Sequence, residues 1–155
     1  MALDVLALDH TGIVVPDLDE AVALLADMFG ARELYRRAYA PPPGSDVMAR
    51  QFGIHPDSSF RLAKVDLAGR HLELFEYAAP DQRGEAPRVS DIGGSHLALR
   101  VPDLDAAVAA IRADGRVEPL GDIQALGPGH PLAGRRWIYL RTRWGLLLEL
   151  VADLV

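Results

Sequence analysis

The sequence predicts an α+β chain built from two tandem βαβββ modules, and three observations predict it. The first is a repeat. His10-Thr-Gly-Ile-Val-Val-Pro-Asp-Leu-Asp-Glu-Ala-Val22 returns as His96-Leu-Ala-Leu-Arg-Val-Pro-Asp-Leu-Asp-Ala-Ala-Val108, each residue 86 positions further on. A repeat of this length is one supersecondary unit used twice. The second is that each copy passes through Pro-Asp from a short apolar run into helical spacing. The third is that each copy closes on a strand with a central glutamate, Leu72-Glu73-Leu74 and Leu148-Glu149-Leu150.

Module one, about residues 5–79, opens on the apolar run Val5-Leu6-Ala7-Leu8 and a strand from His10 to Val15. Pro16 ends that strand, Asp17 offers an N-cap, and Glu20 three residues on gives a capping-box pattern. Leu18, Ala21, Val22, Leu25 and Phe29 then recur at helical spacing up to Gly30, a natural C′ residue. Four strands are predicted next, over 32–39, 47–52, 60–67 and 71–77, separated by Pro/Gly/Asp turns. A polar linker covers about 80–94.

Module two, about 95–153, repeats the scheme. A strand runs from His96 to Val101, Asp103 caps a helix with Leu104, Ala107, Val108 and Ile111 on one face, and Gly115 stops it. Strands follow over 117–120, 123–126, 136–141 and 146–151. At 155 residues the chain is long enough for one domain to bury a core of its own.

Composition narrows the chemistry. There is no cysteine, which removes disulfides, thiolate metal sites and cysteine nucleophiles. A metal would have to be held by imidazole and carboxylate, a donor set that suits Ni, Zn, Co, Mn or Fe(II). The net charge of −6 argues against nucleic acid, since Arg135, Arg136, Arg141 and Arg143 form only a local basic group. No apolar run approaches membrane length, and the acidic start is unlike a signal peptide, so a cytoplasmic protein is expected.

Strand alternation sorts the side chains. Leu72 and Leu74 share one face of their strand, while His71, Glu73 and Phe75 share the other. Leu148 and Leu150 likewise point away from Glu149. A carboxylate among apolar neighbours on a sheet face costs several kcal/mol unless it is paired or binds a cation. Two histidines and two glutamates at matching places in duplicated modules therefore point to one shared metal ion.

These residues resemble the vicinal oxygen chelate superfamily, which includes glyoxalase I, methylmalonyl-CoA epimerase, extradiol dioxygenases, fosfomycin-resistance enzymes and bleomycin-binding proteins. The resemblance runs from Leu8 to Val151. It rests on the two His-x-x-x-x-Val-x-Asp-Leu openings, the Leu-Glu-Leu strands and the closing Tyr139-Leu-Arg-Thr-Arg-Trp-Gly-Leu-Leu-Leu-Glu149. It implies a single domain over 1–155, with the two modules forming a glyoxalase-like curved sheet or half-barrel, and a homodimer.

Carried across position by position, the resemblance implies the metal ligands His10, Glu73, His96 and Glu149. Glu149 is then the first choice of catalytic base and Glu73 the second. Trp137, Tyr139, Arg141, Phe75 and His71 are expected to line the substrate cavity. His55 and His130 fall in Pro/Gly-rich loops and are expected at the surface.

The implied activity is that of a metal-dependent lyase, isomerase or epimerase working on a small carbonyl compound through a stabilised enolate. An Fe(II)- or Mn(II)-dependent ring-cleaving dioxygenase and a non-catalytic small-molecule binder are the alternatives. Glutathione hemithioacetal is not the expected substrate. Short bacterial glyoxalase I carries an arginine where this chain has Val14, and an asparagine where it reads Phe75-Glu-Tyr-Ala78.

Overall fold

Pro16 and Pro102 end the opening strands, and the aspartate after each starts a helix. In the computed structural model, which describes residues 3–153, Asp17 and Asp103 hold extended backbone. Their carboxylates accept the amides of Glu20 and Ala106, each at 2.9 Å. This satisfies an N–H that the first helical turn would otherwise leave bare. The helices end where Gly30 and Gly115 take up left-handed backbone at φ 69° and 76°, which only glycine adopts without strain. Replacing Asp103 with alanine is expected to cost about 1 kcal/mol of stability. Chemical denaturation checks this, with Asp103→Asn, which keeps the cap, as the comparison.

The chain divides into two units, Met1–Gly84 and Glu85–Val155. In the first, the order is β1 (Thr11–Val14), α1 (Leu18–Phe29), β2 (Arg32–Tyr39), α2 (Val47–Phe52), β3 (Ser59–Leu67) and β4 (Arg70–Ala78). In the second it is β5 (His96–Arg100), α3 (Leu104–Asp114), β6 (Val117–Ala125), β7 (Arg136–Thr142) and β8 (Leu147–Ala152). The strands of the two units are ordered β1-β4-β3-β2 and β5-β8-β7-β6. In each sheet the first strand runs parallel to the last, and the other neighbours are antiparallel. The two βαβββ modules are therefore present, each as an open four-stranded sheet.

One face of each sheet packs under its helix. Leu74, Val65 and Ala63 lie fully buried in the first unit beneath Leu18, Ala21 and Leu25 of α1. Leu148, Leu150 and Ile138 do the same in the second beneath Leu104, Val108 and Ile111 of α3. Truncating a leucine at such a site typically costs about 2–5 kcal/mol.

The duplication extends to a polar tie that the sequence pattern did not disclose. Arg61 on β3 binds Asp19 on α1 at 3.0 Å, and Arg136 on β7 binds Asp105 on α3 at 2.6 Å. In module one Arg61 also holds Glu76 at 2.5 Å, and Glu76 accepts the Leu18 amide at 2.7 Å. These contacts, Arg61 first and the amide second, hold the Glu76 carboxyl below its ordinary range. Glu76 thus fastens the start of α1 to β4 and takes no part in the opposite face.

Three expectations are corrected. Residues 47–52 form helix α2, not a strand. Met, Ala, Arg and Gln favour helix, and helical spacing sets Met48 and Phe52 on one side, with Met48 fully buried. The two strands expected over 117–120 and 123–126 are one strand, β6, whose register shifts between Leu120 and Gln124. The first strand begins at Thr11, not His10, and the described apolar residues Leu3, Val5, Leu6 and Leu8 lie exposed ahead of it, Leu6 by 96%.

Candidate functional site

β-Pairing sets each histidine beside its glutamate. In the first unit Gly12 lies opposite Glu73, and in the second Ala98 lies opposite Glu149, the same register in both copies. Each glutamate is therefore two residues offset from the histidine that opens the module. His10 Nε2 stands 3.3 Å from Glu73 Oε2, and His96 Nε2 stands 3.1 Å from Glu149 Oε2. Both glutamates face away from the leucine core, with side chains only 14% and 18% exposed.

The sequence quartet thus appears as two equivalent His/Glu pairs, one per unit. Among the described residues no group of three or more His, Asp or Glu has metal-holding geometry.

Each pair nevertheless suits a divalent cation. Two ligands about 2.0–2.2 Å from a tetrahedral ion lie roughly 3.3–3.6 Å apart; the first pair, at 3.3 Å, falls at the lower end of that range and the second, at 3.1 Å, slightly below it. His10 adds a second indication. Its Nδ1 lies 2.7 Å from Asp9 Oδ1, a carboxylate that can only accept, so Nδ1 carries a hydrogen. In the neutral ring Nε2 is then a bare lone pair facing a carboxylate oxygen, and a cation between the two would relieve that repulsion. Asp9 itself is held below the ordinary carboxylate range by His10 first and Lys64 second.

The surroundings of the two pairs differ. Around Glu73, Tyr35 donates its hydroxyl to Oε1 at 3.2 Å, and Lys64 Nζ lies 3.9 Å from the same oxygen and 3.3 Å from Asp9. Around Glu149 the neighbours are rings. Tyr139 faces it across the strand pair and meets the His96 ring edge-on at 5.3 Å, with Trp137 a further 5.4 Å along. Burial, and then the Glu149 charge, raise the Tyr139 hydroxyl above its ordinary range.

Of the expected cavity residues, Phe75 lies two positions from Glu73 on the same face. It stacks on Tyr77 at 5.5 Å within an aromatic group that includes Phe60, Tyr39 and Phe52. His71 shares that face but turns to Asp66, at 3.8 Å. Arg141 pairs with Glu118 at 2.7 Å in solvent. Trp137 and Tyr139 are the expected cavity residues that stand beside a His/Glu pair. His55 and His130 act locally, each accepting a backbone amide two residues ahead through Nδ1.

The residues that sequence reasoning missed are Asp9, Tyr35 and Lys64. The first was legible as the neighbour of His10. The other two depend on strand pairing, because Lys64 meets Glu73 only once the β3–β4 register is known.

The sequence profile of the glyoxalase/bleomycin resistance protein/dioxygenase superfamily matches residues 9–133. The chain belongs to that superfamily. It is 43% identical over 146 residues to a 2-epi-5-epi-valiolone epimerase from Actinomyces sp., covering 94% of this chain and 78% of that protein. Among solved structures it resembles a glyoxalase family protein from Bacillus cereus, with a TM-score of 0.75 at 22% identity over 99% of this chain and 97% of that one. It also resembles the fosfomycin resistance protein FosX from Listeria monocytogenes, solved with Mn(II) and sulfate, with a TM-score of 0.60 at 20% identity over 97% of this chain and 95% of that one. At these identities the solved structures speak to the fold alone. Among the described residues no helix is long and apolar enough to cross a membrane.

Proposed function

We propose that this chain is a divalent-metal-dependent epimerase of a polyhydroxylated ketone, 2-epi-5-epi-valiolone or a close analogue. It would invert one carbon beside the carbonyl by removing and restoring a proton. The observation that carries the reading is the 43% identity to the Actinomyces epimerase along 94% of the chain. The four ligand-type residues in two register-matched pairs agree with it.

His10 and Glu73 from one module, and His96 and Glu149 from the other, are the residues that would hold the cation. When bound, a divalent cation supplies Lewis acidity, drawing charge from adjacent substrate oxygens and lowering the cost of an enolate. Glu149 is the base in this reading, because its carboxylate has fewer polar partners than that of Glu73. It takes the proton from the carbon beside the carbonyl. A solvent-exchanging donor on the other side returns a proton to the opposite face of that carbon, and Glu149 then releases the proton it took to solvent. Trp137 and Tyr139 form the apolar flank of the reacting centre and keep water from it, and Tyr139 keeps its hydroxyl hydrogen at neutral pH.

The test is incubation of the metal-loaded protein with 2-epi-5-epi-valiolone in D2O. Epimer should form with one deuterium at the inverted carbon, chelation should stop the reaction, and added Mn(II), Zn(II), Co(II) or Ni(II) should restore it without oxygen uptake. Conversion without deuterium, or oxygen-dependent loss of substrate, would contradict the reading.

A further inference from the structure

The two carboxylates of the duplicated site sit in unlike rows. Reading across the first sheet through the paired residues gives Tyr35, Lys64, Glu73 and Gly12. The same reading across the second sheet gives Leu120, Tyr139, Glu149 and Ala98. Tyr35 and Lys64 of one module are thus replaced by Leu120 and Tyr139 in the other, and among the described residues the Tyr139 hydroxyl makes no hydrogen bond to Glu149 as Tyr35 does to Glu73. The duplication kept the His/Glu pair and changed what stands behind it.

Glu73 is consequently held at the oxygen turned away from His10. Oε2 faces His10 Nε2 at 3.3 Å, while Oε1 accepts from the Tyr35 hydroxyl at 3.2 Å and lies 3.9 Å from the Lys64 ammonium. Lys64 is itself fixed, only 14% exposed and anchored to Asp9 at 3.3 Å. Glu149 meets His96 at 3.1 Å, and among the described residues no other side chain donates to it or pairs with it. A carboxylate gripped on its far oxygen loses rotamer freedom before a ligand arrives, whereas one gripped on a single side can swing.

From this contrast we infer that Tyr35 and Lys64 are positioning residues. They lock Glu73 as the permanent ligand of the site and leave Glu149 as the carboxylate free to move. The inference rests on the metal reading of the two pairs. It explains why the two glutamates would do different work from identical backbone positions. Groups that orient a ligating carboxylate typically change metal affinity by about 10- to 100-fold when removed.

Tyr35 is the cleaner probe. Lys64 repels an incoming dication as well as aiming Glu73, so its removal mixes two opposed effects. Tyr35 is neutral and 42% exposed, so Tyr35→Phe removes one hydroxyl without opening the core. Tyr35→Leu, which copies the residue of the second module, is the companion variant.

The experiment is a Mn(II) titration of the full chain, with free Mn(II) read by its electron paramagnetic resonance signal and folding followed by thermal unfolding. It is run as a double-mutant cycle with Glu73→Ala. Tyr35→Phe is expected to raise the Mn(II) Kd about tenfold in the wild-type background and less than about twofold in the Glu73→Ala background. An unchanged Kd in both Tyr35 variants, or an equal loss in both backgrounds, overturns the inference and leaves the metal reading standing. Wild-type affinity in Glu73→Ala itself overturns the metal reading, and the inference falls with it.

Discussion

Replacing Glu149 with glutamine is expected to slow epimerisation about 10³-fold, with Mn(II) affinity changed by no more than about tenfold. The magnitude is that of losing a positioned general base. The amide keeps the shape of the carboxylate and one oxygen donor, but it cannot take a proton. The split between lost turnover and kept metal is the informative part. Glu149 has one polar partner among the described residues, His96 at 3.1 Å, and its other flank is the Tyr139 ring. Its removal should therefore disturb chemistry more than structure. The measurements are steady-state rates, deuterium wash-in at the inverted carbon and Mn(II) titration on the same preparation. Equal loss of rate in Glu149→Gln and Glu73→Gln would mean that the two carboxylates share the proton work.

Removing either histidine should act on the metal first. His10→Ala and His96→Ala are each expected to weaken Zn(II) binding roughly 10²- to 10³-fold, about a quarter of the free energy of a four-ligand zinc site. Activity should fall in proportion to lost occupancy and recover in part at high metal concentration. Both histidines lie at the edge of their sheets, with side chains 40% and 35% exposed, so truncation leaves no core cavity. A loss of stability in the metal-free protein would indicate a structural role instead. His71→Ala is the control, since His71 pairs with Asp66.

Much of this arrangement is written in the repeat. The Pro-Asp-Leu-Asp punctuation specified both helix starts down to the capping residue, because an N-cap is a local interaction between neighbours in sequence. The Leu-Glu-Leu alternation specified which face each glutamate takes, because the side-chain period of a strand is two residues. Helix α2 was not legible as helix. Six residues are too few for a helical period to outweigh a strand reading, and the choice falls to the burial of Met48.

The residues behind Glu73 were illegible for a different reason. Tyr35 and Lys64 lie 38 and 9 residues from Glu73, and β2 carries a register irregularity between Glu33 and Tyr35 that breaks simple alternation. Only the hydrogen-bonded register brings the three together. The duplicated Arg61–Asp19 and Arg136–Asp105 ties were hidden in the same way, since each joins a helix to a strand far along the chain. Local signals disclosed the elements and the ligand-type residues. Pairing between distant strands decided what stands around them.

The most direct measurement of the shared-ion claim is X-ray absorption at the zinc edge of the Zn(II)-loaded chain, taken beside His10→Ala and His96→Ala. One zinc per chain, with a nitrogen/oxygen shell and the outer-shell scattering of two imidazoles, is the expected wild-type result. Each variant should then show one imidazole. Two imidazoles surviving in either variant, or none in the wild type, would contradict a single ion held by both His/Glu pairs.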